Sequence, residues 1–353
     1  MPGARLAFIA LWAILGLSAC LCAAGQVYAA GTDAGEIVAL DAATGKKVWS
    51  AALGGRIDTP PTIHRGLCLV GCHDGWVYAL RAKDGQLAWR ARVAPWERRL
   101  VAYGEVESVW PAVGTVLVHD NVAYVNAGRT SESDGGIAVV ALDPATGNQV
   151  WGKAIGTGPQ RQNDMLILRD GAIAWHHIRL DPKTGTLSPP ATFPDNYSQG
   201  GVLDGTWTMV RGRRSGNGFT LGKPGPKKEQ TTVDLVAWND AQTVSPSFVM
   251  ARQKADSTEG KLNPADYSWK PSLPSGAQVE AMALAGNAVV YAGRIKGSQA
   301  DKPSGFLCVL SAADGKQLAE FRLEAPPAYD GLAVARARIY VSLQNGNIVC
   351  FGK

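Results

Sequence analysis

Charge is scarce in this chain. Only 18% of its 353 residues are Asp, Glu, Lys or Arg, against about 25% in an ordinary soluble domain. The net charge of +5 is too mild to mark a nucleic-acid partner. Long helical patterns are also missing, while glycine (41) and proline (20) are plentiful. Such a chain reads as all-β, with many short strands joined by tight turns. The common catalytic and metal signatures are absent too. There is no Cys-x-x-Cys, no helical His-x-x-x-His, no Gly-x-Ser-x-Gly elbow and no phosphate-cradling loop, which leaves no catalytic residue and no metal site to nominate. His64 and His119 precede polar turns, and His73 lies in the turn Cys72–Gly75. His176 and His177 point to opposite faces of a strand and cannot readily share one metal. All five histidines read as structural or solvated.

The first 24 residues differ from the rest. Arg5 is their only charge, and Leu6–Ala19 runs LAFIALWAILGLSA. A basic start, a short apolar core and small residues after it describe a secretory leader over 1–24, with one domain over 25–353. Two other readings stay open. The run stretches through Ala24 to about the 20 residues of a membrane span, and it could be a buried strand of a chain with a mis-assigned start. Leu17-Ser18-Ala19-Cys20 resembles the lipobox of bacterial lipoproteins, which would make Cys20 the acylated first residue; cleavage after Ala24 is the alternative. Either route exports the chain to the periplasm, the outer membrane or the cell surface. Cys68 and Cys72 share the run LCLVGC. Four residues along a strand span about 13 Å, too far for a disulfide, so they read as small buried apolar residues.

Internal similarity sets the architecture. Four segments align: GEIVALDAATGKKVW (35–49), GWVYALRAKDGQLAW (75–89), GIAVVALDPATGNQVW (136–151) and GFLCVLSAADGKQLAEF (305–321). Weaker copies are 178–187, 235–244 and 346–353. Each strong copy is a strand, a turn and a second strand, with another strand pair upstream around a two-residue polar turn such as Asp120-Asn121. A four-stranded unit recurring at about 40 residues is a propeller blade. About seven blades are expected, with six or eight also allowed, the first lacking its first strand and the last its fourth. In the turn Asp41-Ala-Ala-Thr44-Gly45, Asp and Thr can bond nearby backbone N–H groups and Gly45 can take a positive φ. Trp49, Trp89 and Trp151 should be buried between blades.

Ala39-x-Asp41-x-x-Thr44-Gly45-x-x-x-Trp49 resembles, at every fixed position, the tryptophan-docking motif of the pyrroloquinoline-quinone-repeat propellers. Asp143, Thr146, Gly147 and Trp151 repeat it. Gly85 and Trp89 keep part of it, with Arg81 and Asp84 in place of Asp and Thr. The resemblance is strong to 155 and fades between 185 and 280. It implies a propeller, and it points two ways for function. One branch is the quinoprotein alcohol dehydrogenases, which bind pyrroloquinoline quinone with calcium against a vicinal Cys-Cys disulfide. The other is the group similar to outer-membrane protein assembly factor B, exported propellers without catalysis. No adjacent Cys pair and no Asp-rich calcium loop occurs here. The expectation is therefore a monomeric, cofactor-free scaffold for an envelope protein or anionic glycan, with a divergent quinone-binding oxidoreductase as the alternative.

In a blade, the second-to-third connection and the link to the next blade share one end. The insertions 93–112, 129–135, 212–231, 249–277 and 294–304 are all assigned to that end. The expected binding face combines Arg98, Arg99, Glu105, Glu107, Trp110, Arg129 and Asp134 with a basic mobile loop, Arg213, Arg214, Lys223, Lys227 and Lys228. The arginines would bind carboxylates or sulfated sugars, and Trp110 would offer a flat apolar platform.

Overall fold

The computed structural model describes residues 17–23, 25–32, 34–102, 104–130, 133–156, 166–169, 171–175, 178–187, 202–204, 207–212, 216–221, 231–258, 260–296, 305–335 and 337–352. They fall into two compact units, one within 9–199 and the other within 200–353. No helix among the described residues is long and apolar enough to cross a membrane.

The first unit is built from antiparallel meanders. Sheet one is β1 (Leu17–Ala23), β2 (Gln26–Gly31), β3 (Glu36–Asp41) and β4 (Lys47–Ala52). Sheet two is β5 (Thr62–His64), β6 (Leu67–Gly71), β7 (Trp76–Arg81) and β8 (Leu87–Arg92). A separate hairpin follows, β9 (Arg99–Ala102) and β10 (Glu105–Ser108). Sheet three is β11 (Leu117–His119), β12 (Val122–Ala127), β13 (Ile137–Leu142) and β14 (Gln149–Ile155). Sheet four is β15 (Ile167–Arg169), β16 (Ala172–Trp175) and β17 (Ile178–Leu180), with Leu187 bridged to Leu180 where a fourth strand would run. Sheet one thus has a first strand, contrary to expectation. β1 lies inside the stretch read as a leader and pairs with β2 from Leu17↔Gly31 to Ala23↔Gln26.

Middle strands such as VYAAG and IVAL are continuously apolar because both faces are covered. Successive side chains enter opposite cores, as the two-residue period of a strand requires. Cys68 and Val70 join Tyr28, Ala39 and Leu80 between sheets one and two. Leu69, from the same strand, joins Val77, Ala123 and Val125 between sheets two and three. Tyr124 and Val139 turn the other way, towards Ile173 and Leu180 of sheet four. Cys68 and Cys72 are buried and not disulfide-bonded. Burial pushes the Cys68 thiol up to about 12, so it behaves as a small apolar side chain.

One contact recurs between neighbouring sheets. The Trp49 indole Nε1 donates to the Ala82 carbonyl at 2.8 Å, Trp89 to Pro144 at 3.0 Å and Trp151 to Pro182 at 2.8 Å. Each acceptor lies in the turn of the following sheet, and the glycine of that turn packs against the ring. A Cβ on Gly85, Gly147 or Gly185 would come within 2.5, 2.5 and 2.6 Å of the docked indole, and all three have φ between 66° and 75°. Glycine is thus required twice over, by backbone and by space. The turns are tied as the sequence implies. Asp41 Oδ1 accepts from the Thr44 N–H and hydroxyl, both at 2.7 Å. In the turn without the leading Asp, Asp84 takes over, accepting from Gln86 N–H and pairing with Arg81. Trp49 is buried, whereas Trp89 and Trp151 are only half-buried.

In the second unit, sheet five is β18 (Val202–Asp204), β19 (Trp207–Gly212), β20 (Gly216–Leu221) and β21 (Thr231–Val233). Sheet six is β22 (Ala237–Trp238), β23 (Gln242–Val244) and β24 (Val249–Ala251), followed by helix α1 (Arg252–Ser257). Sheet seven is β25 (Ala277–Ala285), β26 (Ala288–Ile295), β27 (Gly305–Ser311) and β28 (Gln317–Leu323). Sheet eight is β29 (Pro327–Ala335), β30 (Arg338–Leu343) and β31 (Ile348–Gly352). The described residues therefore form eight sheets of three or four strands besides the hairpin.

Two loop assignments need correction here. The segment 212–231 is not one loop. The β-forming run Phe219-Thr220-Leu221 belongs to β20, which pairs with β19 on one side and β21 on the other. Arg213 and Arg214 precede β20 in sequence and Lys223, Lys227 and Lys228 follow it; all five lie outside the described residues. The segment 235–244 is a first-to-second hairpin turning at Asn239, whose Oδ1 accepts from Ala241 and Gln242 N–H. The fourth position of that sheet is filled by Trp269, bridged to Val249. Its indole docks on sheet seven as the others do, donating to Ala312 at 3.2 Å with Gly315 against the ring. Much of 249–277 is thus also a third-to-fourth connection.

The glycine requirement can be split experimentally. Gly66 has φ 79° and nothing near a would-be Cβ, whereas Gly147 has φ 75° and an indole there. Gly66→Ala should cost only the left-handed backbone penalty, about 1–2 kcal/mol. Gly147→Ala should cost about 1–3 kcal/mol more from the displaced ring. Denaturant titration of both checks this; equal losses would mean that the indole is not fixed there.

Candidate functional site

Four connections of the first unit converge at one end of sheets two and three. They are the stretch before β5, the β6–β7 turn, the excursion from β8 to β11 and the β12–β13 loop. Their backbones are stitched at His73. Its N–H donates to the Arg56 carbonyl at 3.0 Å, and its carbonyl accepts from Ser108 N–H at 2.8 Å. Next to it the Cys72 carbonyl accepts from Ala112 N–H at 3.1 Å.

The side chains continue the stitch as a row of alternating charge. Arg56 Nε bonds Asp58 Oδ1 at 2.6 Å, and Asp58 Oδ2 meets His73 Nε2 at 2.8 Å. His73 Nδ1 meets Glu107 Oε2, and Glu107 Oε1 accepts from Arg129 Nη2. Glu107 is the most enclosed member, its side chain only 6% exposed, with His73 at 12%. Burial opposes a charge on His73, but the hydrogen bond and charge of Asp58, then those of Glu107, outweigh it and raise its pKa. Burial likewise opposes the Asp58 carboxylate, and the His73 and Arg56 bonds outweigh it and lower its pKa. A carboxylate buried this deeply is tolerated only when paired and hydrogen-bonded. With both ring nitrogens engaged by carboxylates, His73 has no free position from which to act as a base.

The residues expected at the binding face separate into two groups. Glu107 and Arg129 belong to the buried row. Glu105 shares a strand face with Glu107, as their spacing implies, and is half-exposed opposite Ala102. Arg98 and Arg99 are exposed, and Arg98 Nη1 lies 3.5 Å from Asp134 Oδ1. Trp110 is not a platform. It is 2% exposed and packs in the core between sheets two and three, because Val109 N–H is tied to Arg98 and turns the chain inward. The exposed aromatic is Trp96, 63% exposed and edge-on to Trp110 with centroids 5.3 Å apart. Val101 and Val106, paired across the hairpin, are 73% and 58% exposed. Arg56, Asp58 and His73 were not singled out from sequence as partners, since nothing in their spacing joins their two separate connections.

The opposite end of these sheets holds an open groove of about 500 Å³ between β5 and β11, lined by Thr62, His64, Thr115, His119, Asp120 and Asn121. Both its histidines are already engaged, His64 with Asn121 at 3.0 Å and His119 with Asp120 at 3.3 Å. His176 and His177 lie outside the described residues.

A family profile described as outer membrane protein assembly factor BamB matches residues 10–174. That stretch runs from sheet one into β16 and contains the whole charged row and three docking tryptophans. Over residues 10–174 the chain is similar to the pyrroloquinoline-quinone-repeat propellers of the BamB-like kind. It is 30% identical over 173 residues to an outer membrane protein assembly factor BamB of Yersinia pestis, covering 43% of this chain and 41% of that protein. The chain thus spans less than half the length of that relative. Among solved structures it is similar to BamB from Moraxella catarrhalis, at 15% identity and a TM-score of 0.38 over 93% of this chain and 82% of that one. Quinohemoprotein alcohol dehydrogenase from Comamonas testosteroni gives 13% identity and a TM-score of 0.46 over 95% and 66%.

The shifted pKa values set a pH window for the row. A raised pKa on His73 means its stabilisation is complete below the unfolded value of about 6.5 and is lost as pH rises through the folded value. The depressed Asp58 contributes above its unfolded value of about 3.9 and loses that contribution as pH falls through the folded one. Wild type should therefore exceed His73→Gln in unfolding midpoint most clearly between about pH 4 and 6.5, with the gap closing towards pH 9. A gap that stays constant to pH 9 would show a neutral His73 acting through packing alone.

Proposed function

We propose that this chain is an exported, non-catalytic propeller that holds an envelope protein on the surface formed by Trp96, Arg98, Arg99, Val101, Val106 and Asp134. One observation carries this reading: a charged row drawn from four connections, and enclosed at its His73–Glu107 centre, fixes a hairpin whose outer surface is apolar and cationic. Long connections on a rigid scaffold usually carry function. Here the ordering is supplied by side chains that a mere surface excursion would not need. Exposed aromatic, apolar and arginine side chains together suit a protein hot spot. The resemblance to a factor named for outer membrane protein assembly supports a protein partner. A glycan is not carried forward, because the tryptophan that would have stacked on a sugar is buried. Export rests on the leader-like first 24 residues, whose cleavage would remove β1 from sheet one; acylation of Cys20 would hold the chain at a membrane and remove only residues 17–19 of that strand, and the chain acts as a monomer.

The test is capture from solubilised envelope by immobilised chain, quantified by mass spectrometry. Arg98→Glu with Arg99→Glu should lower capture of the bound protein by about tenfold or more, equivalent to about 1.4 kcal/mol. The unfolding midpoint should stay nearly unchanged, since exposed side chains rarely contribute more than about 0.5 kcal/mol. Capture indifferent to the reversal would overturn the surface. Stoichiometric uptake of pyrroloquinoline quinone with calcium, together with dye-linked alcohol oxidation, would overturn the absence of catalysis.

A further inference from the structure

The β9–β10 hairpin pairs with no other strand among the described residues. Its register is Ala102↔Glu105, Val101↔Val106, Leu100↔Glu107 and Arg99↔Ser108. In a hairpin closed by a two-residue turn, the pair flanking the turn exchanges hydrogen bonds and the next pair does not. Val101 and Arg99 therefore direct their N–H and C=O groups away from β10. Ser108, the partner of Arg99, confirms the alternation, since its N–H points outward to the His73 carbonyl at 2.8 Å. The edge of β10 is thus partly occupied by the scaffold. On β9, no backbone hydrogen bond among the described residues engages the outward groups of Arg99 and Val101.

We propose that β9 is a docking edge that takes an extended segment of another protein carrying an acidic and an apolar side chain two residues apart, on one face of the added strand. The proposal deepens the protein-binding reading and rests on it. Backbone groups of Arg99 and Val101 would supply the ladder, as in strand addition to an exposed sheet edge. Arg99 and Val101 are two residues apart and share the solvent face of the edge, so a complementary strand carries a carboxylate and an apolar residue two positions apart on that face. Arg98 adds a second cation at the same edge, and Arg99 has no carboxylate partner among the described residues. Native sheets usually blunt such an edge with proline, a bulge or lysine; β9 has none of these. Two other occupants fit less well. A lipid interior would leave the outward N–H and C=O groups unsatisfied. A second copy pairing β9 with β9 would bring the arginines of both copies together.

The probe is an acetylated hexapeptide of sequence Thr-Glu-Thr-Val-Thr-Glu, which puts glutamate and valine on one face, added to the full chain. Binding should slow hydrogen exchange of the Arg99 and Val101 amides by about tenfold or more. N-methylating the peptide on one edge, or replacing glutamate by lysine, should each weaken binding by about tenfold. Val101→Pro removes an outward donor without breaking the β9–β10 ladder, a place where proline is tolerated, and should also weaken binding about tenfold. Absence of slowing at Arg99 and Val101, or binding that survives N-methylation, would overturn the proposal. Binding of anionic vesicles in place of the peptide, or a dimer mass lost on Val101→Pro, would reassign the edge to lipid or to a second copy. If the peptide fails while envelope-protein capture still depends on Arg98 and Arg99, the edge proposal falls and the scaffold reading stands.

Discussion

Everything on this molecule hangs from an indole laid over a glycine. The fourth strand of one sheet carries a tryptophan whose N–H reaches a carbonyl in the next sheet's turn. The turn can receive the ring only because a glycine there has no Cβ. The hydrogen bond alone is worth about 1 kcal/mol; the larger effect is to fix how one sheet faces the next. Tyr28 and Tyr124 reinforce it, each donating to the carbonyl already taken by Trp49 or Trp151. Because Trp49 docks sheet one on two and Trp89 docks two on three, the connections at their common end are brought within side-chain reach.

That reach explains the charged row. Asp58 precedes sheet two, His73 turns within it, Glu107 leaves it and Arg129 belongs to sheet three. Had the sheets been free to slide, a buried glutamate between an imidazole and a guanidinium would be a liability, since partly satisfied buried networks cost more than apolar packing. Held in place, the row fastens a hairpin that reaches the core through Leu100. The hairpin can then expose Val101, Val106 and Trp96 without collapsing onto the sheets. Rigid presentation lowers the ordering cost of binding, which is the physical link between the row beneath and the surface above.

Repeat turns and docking residues were legible because their chemistry is local. Asp41, Thr44 and Gly45 lie within five residues, and Trp49 four further on. Trp269 was not legible, although it does the same work. In its sheet α1 and a long return path replace the short turn, so the spacing that marks the motif is gone. The same loss of spacing misled the reading of 235–244, where an Asn-Asp turn between apolar residues was taken for the third-to-fourth turn. The end on which a long segment lies depends on strand count, so missing β20 inside 212–231 merged two separate connections into one. Glu107 and Arg129 were recognised as candidates from their mixture of charge and aromatics. Their link through His73 was hidden, because only the fold brings residues 58, 73, 107 and 129 together. Trp110 was misjudged for the opposite reason: a large aromatic in a long connection can be the plug that ties that connection to the core.

The account stands on the claim that the hairpin end of sheets two and three is the working face. Site-specific photo-crosslinking in the native envelope tests it most directly, with the crosslinker placed at Val101 in one variant and at Asn121, at the opposite end, in another. The prediction is one dominant protein adduct from position 101 and none from position 121. Adducts from 121 alone would contradict it and move the function to the groove between β5 and β11.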